Sequence, residues 1–281
     1  MNLSDIRTIE TLLKKHGFSF KKSLGQNFLI DSSVCPKMAE FACDETYGVL
    51  EIGPGIGVLT KEVSKIAKRV VAIELDDRLR EILPVTLSDC DNVKVIFGDA
   101  MKLDLKNIIQ ENFADCQKVC VCANLPYYIT SPIIMMLLES KLPIDNITVM
   151  VQKEAAERLC AKVGSRESGA VTVAVDYYSK AEILFPVGRE SFMPPPNVDS
   201  AVIKLNIRQN PTVEVTDEKK FFALVKACFA QRRKTLVNTV SNTTNYSKEE
   251  LRNALSELDI SDNVRAEQLT MEQLANLSNK L

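Results

Sequence analysis

An α/β fold carrying a small all-helical C-terminal domain is what this chain predicts, from three observations. Short β-branched runs alternate with helical stretches through roughly the first two hundred residues. A glycine-rich turn follows the first of those runs, and strand signals stop near residue 209. Because helices separate most of these runs, as in βαβ units, the sheet is expected to be mainly parallel and covered on both faces. The domains are then 1–209 and 210–281. With 46% hydrophobic and 26% charged residues in 281, a sizeable core is available; a disordered chain, a collagen-like chain and a small disulfide scaffold are excluded.

The elements follow in order. Ser4 reads as the N-cap of a first helix, with Ile6, Ile9, Leu12 and Leu13 on one face and Gly17 as the stop. An irregular stretch, FKKSLGQNFLID, leads to a second helix over about 33–43. YGVLEIG is a buried strand; the glycine turn and the helix VLTKEVSKIAK come next. RVVAIEL, NVKVIFG, KVCVCANL and NITVMVQ continue the sheet, with helices around 78–83, after PYYIT, and over about 153–163. AVTVAVDYYS, AEILFPV and AVIKLNI read as the last strands, with an antiparallel sheet edge. QNPTVEVTDE is the linker. Beyond it FFALVKACFAQRRKTLVNTV, SKEELRNALSEL and TMEQLANLSNK read as three helices, the last two opened by the capping pairs Ser247/Glu250 and Thr270/Gln273.

Several function classes drop out. Eight cysteines form no C-x-x-C pair, and His16 is the single histidine, so no metal site is expected. Free thiols and an N-terminus with acidic residues and no apolar segment suit a reducing cytoplasm. The longest apolar stretches, such as 132–138, are too short for a bilayer, so no membrane partner is expected.

The turn Glu51-Ile-Gly53-Pro-Gly55-Ile-Gly57 permits close backbone approach by a ligand. It does not fit the dinucleotide fingerprint G-x-G-x-x-G, whose third glycine would fall on Val58 or Thr60. Its G-x-G-x-G form behind an acidic residue is similar to that of S-adenosylmethionine-dependent methyltransferases. Glu74 ends the second strand, where a carboxylate can accept both hydroxyls of a ribose, and Asp99 ends the third, where it can accept from an adenine amino group.

Asn124-Leu125-Pro126-Tyr127 follows the fourth strand onto the same crevice. The segment resembles the [D/N]-P-P-[Y/F] signature of enzymes that methylate exocyclic amino groups of bases. An adenine N6 lone pair is delocalised into the ring and is a poor nucleophile. The Asn124 amide oxygen and the Leu125 carbonyl can accept the N6 hydrogens, orient the nitrogen and stabilise positive charge as it develops. The face of Tyr127 can stack on the base.

The formal charge is −2, unevenly spread. Residues 1–30 carry a net +3 and 226–234 a net +4, against −5 over 74–115 and −3 over 247–281. If the basic segments rim the crevice they form a phosphate-tracking surface; the near-neutral total predicts weak binding to arbitrary RNA and reliance on a shaped particle.

Five segments together resemble the ribosomal RNA adenine dimethyltransferase family, and within it the small-subunit branch: 22–29 (KSLGQNFL), 51–57 (EIGPGIG), 124–127 (NLPY), 192–200 (FMPPPNVDS) and 229–236 (FAQRRKTL). The resemblance spans nearly the whole chain, with no departure at these positions. It implies a Rossmann-like class I methyltransferase domain with a mainly parallel seven-stranded sheet, plus the helical C-terminal domain as the part contacting RNA. It implies that Asn27, Leu29, Gly53, Gly55, Glu74, Asp99 and Asn124 border S-adenosyl-L-methionine, with Glu74 on the ribose and Asp99 on the adenine. Asn124, Leu125, Pro126 and Tyr127 would hold the target base, with Phe192 closing on its other face. The implied partner is small-subunit rRNA in a pre-assembled particle, and the implied reaction puts two methyls on N6 of each of two adjacent adenosines near the rRNA 3′ end. The protein is expected to act as a monomer. A large-subunit rRNA methyltransferase, a non-catalytic ribosome-assembly or transcription factor, and a dehydrogenase stand as alternatives.

Overall fold

The structure is a computed structural model and describes residues 1, 3–17 and 28–281. In chain order the strands are β1 (Phe28–Leu29), β2 (Tyr47–Ile52), β3 (Arg69–Glu74), β4 (Val93–Phe97), β5 (Lys118–Asn124), β6 (Asn146–Gln152), β7 (Ser179–Val187), β8 (Phe192–Met193) and β9 (Ser200–Ile207). Seven of them form one sheet in the order β4-β3-β2-β5-β6-β9-β7, and β1 pairs with β8 apart from it. β2 runs parallel to both β3 and β5, β3 to β4, and β5 to β6. β9 returns antiparallel to β6, with Ser200 opposite Gln152.

This order creates the site. From β2 the chain winds outward through β3 and β4, then jumps back to β5 on the other side of β2. Crossovers on either side of that jump diverge, leaving a crevice at the carboxyl ends of β2 and β5. The central strands supply a core buried on both faces: Val49, Leu50, Cys120, Val121, Cys122 and Ala123 are fully buried. Helix Val34–Ala42 packs Cys35, Met38 and Ala39 into the cluster that holds Val49 and Cys120. Helix Ile6–Lys15 packs Ile9, Leu12 and Leu13 with Phe28, Ile56 and Leu83, behind the glycine turn.

The chain divides into two compact units, Met1–Ala156 with Glu182–Ile207, and Glu157–Ala181 with Arg208–Leu281. Residues 157–181, placed in the first domain by sequence, therefore belong to the second unit. Its core joins Val173 and Tyr177 to Phe221, Leu236, Leu251 and Leu274.

Four local expectations are corrected. AVTVAVDYYS is the helix Ala170–Tyr178, not a strand. Its Thr172 hydroxyl accepts from the Gly169 amide at 3.0 Å and donates to the Arg158 carbonyl at 2.7 Å, and packing on an apolar core outweighs the β-propensity of Val and Thr. The run expected as one helix after the linker is two, Glu218–Cys228 and Leu236–Thr243. Thr235 caps the second, and three adjacent cations, Arg232, Arg233 and Lys234, sit exposed in the break. Around 78–83 the chain forms a 3-10 turn, Asp77–Glu81, and a short helix, Leu83–Thr86, because Pro84 has no N–H to continue the first. The first helix is capped by Asp5, not Ser4; its carboxylate accepts from the Thr8 amide at 2.9 Å. The capping pairs Ser247/Glu250 and Thr270/Gln273 form as expected.

Candidate active site

Every described residue expected to hold the cofactor or the target base lines one cleft: Leu29, Gly53, Gly55, Glu74 and Asp99, with Asn124, Leu125, Pro126, Tyr127 and Phe192. Asn27, and with it Lys21 and Lys22, lies outside the described residues.

One wall is built on the ends of β2, β3 and β4. After Ile52 the backbone turns left-handed at Gly53 (φ 72°); a Cβ there would meet nothing within 4 Å, so the space in front of the turn is open to a ligand. At Gly57 the left-handed backbone (φ 90°) favours glycine where the turn closes into helix Val58–Ser64, and a Cβ would also press on the Leu87 side chain, 2.8 Å from its Cδ2. Glu74, buried at the end of β3, is held by two amides: Asp76 N–H donates to Oε1 at 2.7 Å and Gly55 N–H to Oε2 at 3.1 Å. Burial raises its pKa above the ordinary carboxylate value, while the two amides pull it down. The Glu74 carbonyl accepts from Gly98 N–H at 2.8 Å, which ties the next loop to the same strand end. In that loop Asp99 Oδ1 accepts from Met101 N–H at 3.0 Å.

The other wall is built on the end of β5. Asn124 closes the strand, and buried Leu125 donates its N–H to Met150 O at 3.4 Å. Pro126 starts a 3-10 turn over Tyr127–Ile129. The half-buried Tyr127 shares a hydrogen bond with the Ser200 hydroxyl at 2.8 Å. Phe192, 3% exposed, is brought here by the β1–β8 ladder, in which it pairs with Leu29. Beside that pair, Ile30 N–H donates to Ser191 O at 2.8 Å and Ser191 Oγ donates to Asp31 Oδ2 at 3.2 Å.

Glu51 is a site residue that sequence reasoning noted in the turn but did not place in the cleft. It lines the cleft, is 1% exposed, and its Oε2 has no hydrogen-bond partner among the described residues. Burial, with the Glu74 carboxylate nearby, pushes its pKa up to about 8. The available signal was an acid inside an otherwise apolar strand, a placement that a fold tolerates only for a reason. Leu75, Ala100 and Tyr128 also line the cleft without having been singled out. Cys35 reaches the cleft too, but burial pushes its thiol far up, which leaves it no nucleophile at neutral pH. Among the described residues no group of three or more His, Cys, Asp or Glu could hold a metal ion, and no helix is long and apolar enough to cross a membrane.

The chemistry on offer is therefore orientation and hydrogen bonding. Carboxylates and open backbone face one side; amide, carbonyl and aromatic groups face the other.

An open sheet wound from a central strand in both directions, with one antiparallel strand inserted next to its far edge, is the class I methyltransferase fold. Solved structures agree. A dimethyladenosine transferase from Plasmodium falciparum aligns with TM-score 0.70 and 28% identity, over 86% of this chain and 93% of that one. The 23S rRNA methyltransferase ErmE aligns with TM-score 0.67 and 26% identity, over 91% and 99%. Among relatives, the ribosomal RNA small subunit methyltransferase A of Bacillus pumilus (strain SAFR-032) is 51% identical over 281 residues, 98% of this chain and 96% of its own length. The protein of the same name from Geobacillus thermodenitrificans (strain NG80-2) is 50% identical over 274 residues, covering 96% and 94%. Residues 17–281 match the model of the ribosomal RNA adenine dimethylase family, and the chain belongs to that family.

Proposed function

We propose that this protein transfers methyl groups from S-adenosyl-L-methionine to N6 of two adjacent adenosines near the 3′ end of small-subunit rRNA, giving N6,N6-dimethyladenosines. The observation that carries the reading is that Asn124, Tyr127 and Phe192 share one cleft with Glu74 and Asp99. Relatives at about half identity over nearly the full length support the small subunit as its target.

The cleft fits such a cofactor. It has a fixed carboxylate for ribose hydroxyls in Glu74, open backbone at Gly53, and in Glu51 a buried acid whose Oε2 has no hydrogen-bond partner among the described residues and whose ionised form a cationic ligand would favour. When bound, the cofactor supplies a methyl group made electrophilic by its sulfonium. Glu74 holds the ribose, Asp99 the adenine amino group, and Leu29, Gly53 and Gly55 border the amino acid end, next to Asn27. The Asn124 amide oxygen and Leu125 carbonyl accept the N6 hydrogens of the target base, which aims its lone pair and meets the positive charge that grows on it. Tyr127 and Phe192 sandwich the base, as an extruded nucleotide requires. The methylated nitrogen is acidic enough to lose its proton to water, so no strong general base is needed.

The cytoplasm is the site of action, on a pre-assembled particle and as a monomer, with residues 210–281 as the RNA-contacting part. In the second unit Arg232, Arg233 and Lys234 are exposed together, and Arg232 Nη2 donates to the Arg166 carbonyl at 2.6 Å, which positions one cation of a phosphate-binding surface. Mass spectrometry of rRNA from cells lacking the protein tests the reading. Loss of N6,N6-dimethyladenosine from small-subunit rRNA is expected, and its full retention would refute it.

A further inference from the structure

We infer that Tyr128 is a second stacking surface, which holds the nucleobase adjacent to the one being methylated. The inference rests on the reaction proposed above.

Tyr128 is 55% exposed, yet it lines the same cleft as Tyr127 and Phe192. Single exposed aromatic side chains are ordinary on protein surfaces; here the placement is what matters. Its backbone is held in the 3-10 turn Tyr127–Ile129, closed by Ile129 N–H and Thr130 Oγ1, which donate to the Pro126 carbonyl at 3.1 and 3.2 Å. The ring is thus carried on a rigid turn and kept at the mouth, and no hydrogen bond to its hydroxyl is found among the described residues.

The three rings divide by depth. Phe192 is buried, and Tyr127 is half-buried with its hydroxyl engaged by Ser200; both serve a base inside the cleft. Tyr128 serves what remains outside. Extruding one nucleotide strips its neighbour of a stacking partner, and that neighbour is covalently bound to stay at the mouth. An exposed aromatic face there restores the lost stacking for any base, because every base has a π face. With two adjacent adenosines as targets, the one outside the pocket lies 3′ of the flipped base in one round and 5′ of it in the other, so the ring serves the round that leaves this neighbour on the Tyr128 side.

The test uses the full-length enzyme with small-subunit particles from cells lacking it. Methyl transfer is measured for wild type, Tyr128→Ala and Tyr128→Phe, and cofactor affinity by calorimetry. Tyr128→Ala should raise KM for the particle by about fivefold to a hundredfold, more than it lowers kcat, with cofactor affinity unchanged. Tyr128→Phe, which keeps the ring face, should restore KM. An unchanged KM in Tyr128→Ala overturns the inference. A fall in cofactor affinity matching the loss of activity also overturns it, because it places the ring against the cofactor. No transfer by the wild-type enzyme would instead sink the underlying reaction, and the inference with it.

Discussion

The Gly55 amide donates to Oε2 of Glu74 across 3.1 Å, so the glycine turn after β2 and the carboxylate ending β3 are one preassembled unit. Asp76 N–H holds the other oxygen, and each oxygen of this cleft-lining carboxylate keeps a further lone pair with which it can accept. A carboxylate already oriented by two amides loses little freedom when it accepts ligand hydroxyls.

Replacing Glu74 with Ala removes those acceptors and frees two amides. Affinity for S-adenosylmethionine should fall by about 10- to 100-fold, the value of charge-assisted hydrogen bonds. Calorimetry reads this directly; unchanged affinity would remove Glu74 from the cofactor site.

Asn124→Ala separates chemistry from binding. Loss of an acceptor that meets developing charge should lower kcat by about a hundredfold or more. Cofactor affinity should stay largely intact. Unchanged turnover would refute the role given to this side chain.

Glu51 makes a pH prediction. Its ordinary pKa is 4.5 and burial raises it to about 8 in the folded protein. Between those values the unfolded chain binds fewer protons than the folded one, so stability from this group falls as pH rises and levels off above about 8. Glu51→Gln cannot ionise. Its melting temperature relative to wild type should therefore climb from pH 5 to pH 8, and a constant difference across that window would contradict the assignment.

Gly57→Ala tests the turn itself. A left-handed backbone costs a side-chain-bearing residue about 1–2 kcal/mol. The new Cβ would also sit 2.8 Å from Leu87 Cδ2. Together the expected destabilisation is about 2–4 kcal/mol by denaturant titration. A variant as stable as wild type would mean the turn can reorganise.

Arg233→Ala should weaken binding to the small-subunit particle and reduce the slope of log affinity against log salt by about 1. Equal slopes would take Arg233 off the RNA surface.

The sheet and the cleft were legible because their signals are local. A β-branched run marks a strand, and the residues at its carboxyl end face the crevice once the winding is known, which is why Glu74, Asp99 and Asn124 could be read in line. Signals that depend on distant packing were not legible. AVTVAV has strand composition, and only its burial with Phe221 and Leu224 makes it a helix. The Leu29–Phe192 pair joins residues far apart in the chain, so Phe192 was expected on the cleft from the family resemblance and not from any local pattern. The same holds for Glu51, whose significance is its burial, and for Tyr128, whose significance is its exposure.

Methyl transfer to purified small and large ribosomal subunits, both from cells lacking the protein, tests the central claim most directly. With isotopically labelled S-adenosylmethionine and nucleoside mass spectrometry, label should enter small-subunit RNA alone and be recovered as N6,N6-dimethyladenosine. Label found only in large-subunit RNA, or on any atom other than adenine N6, would contradict the account.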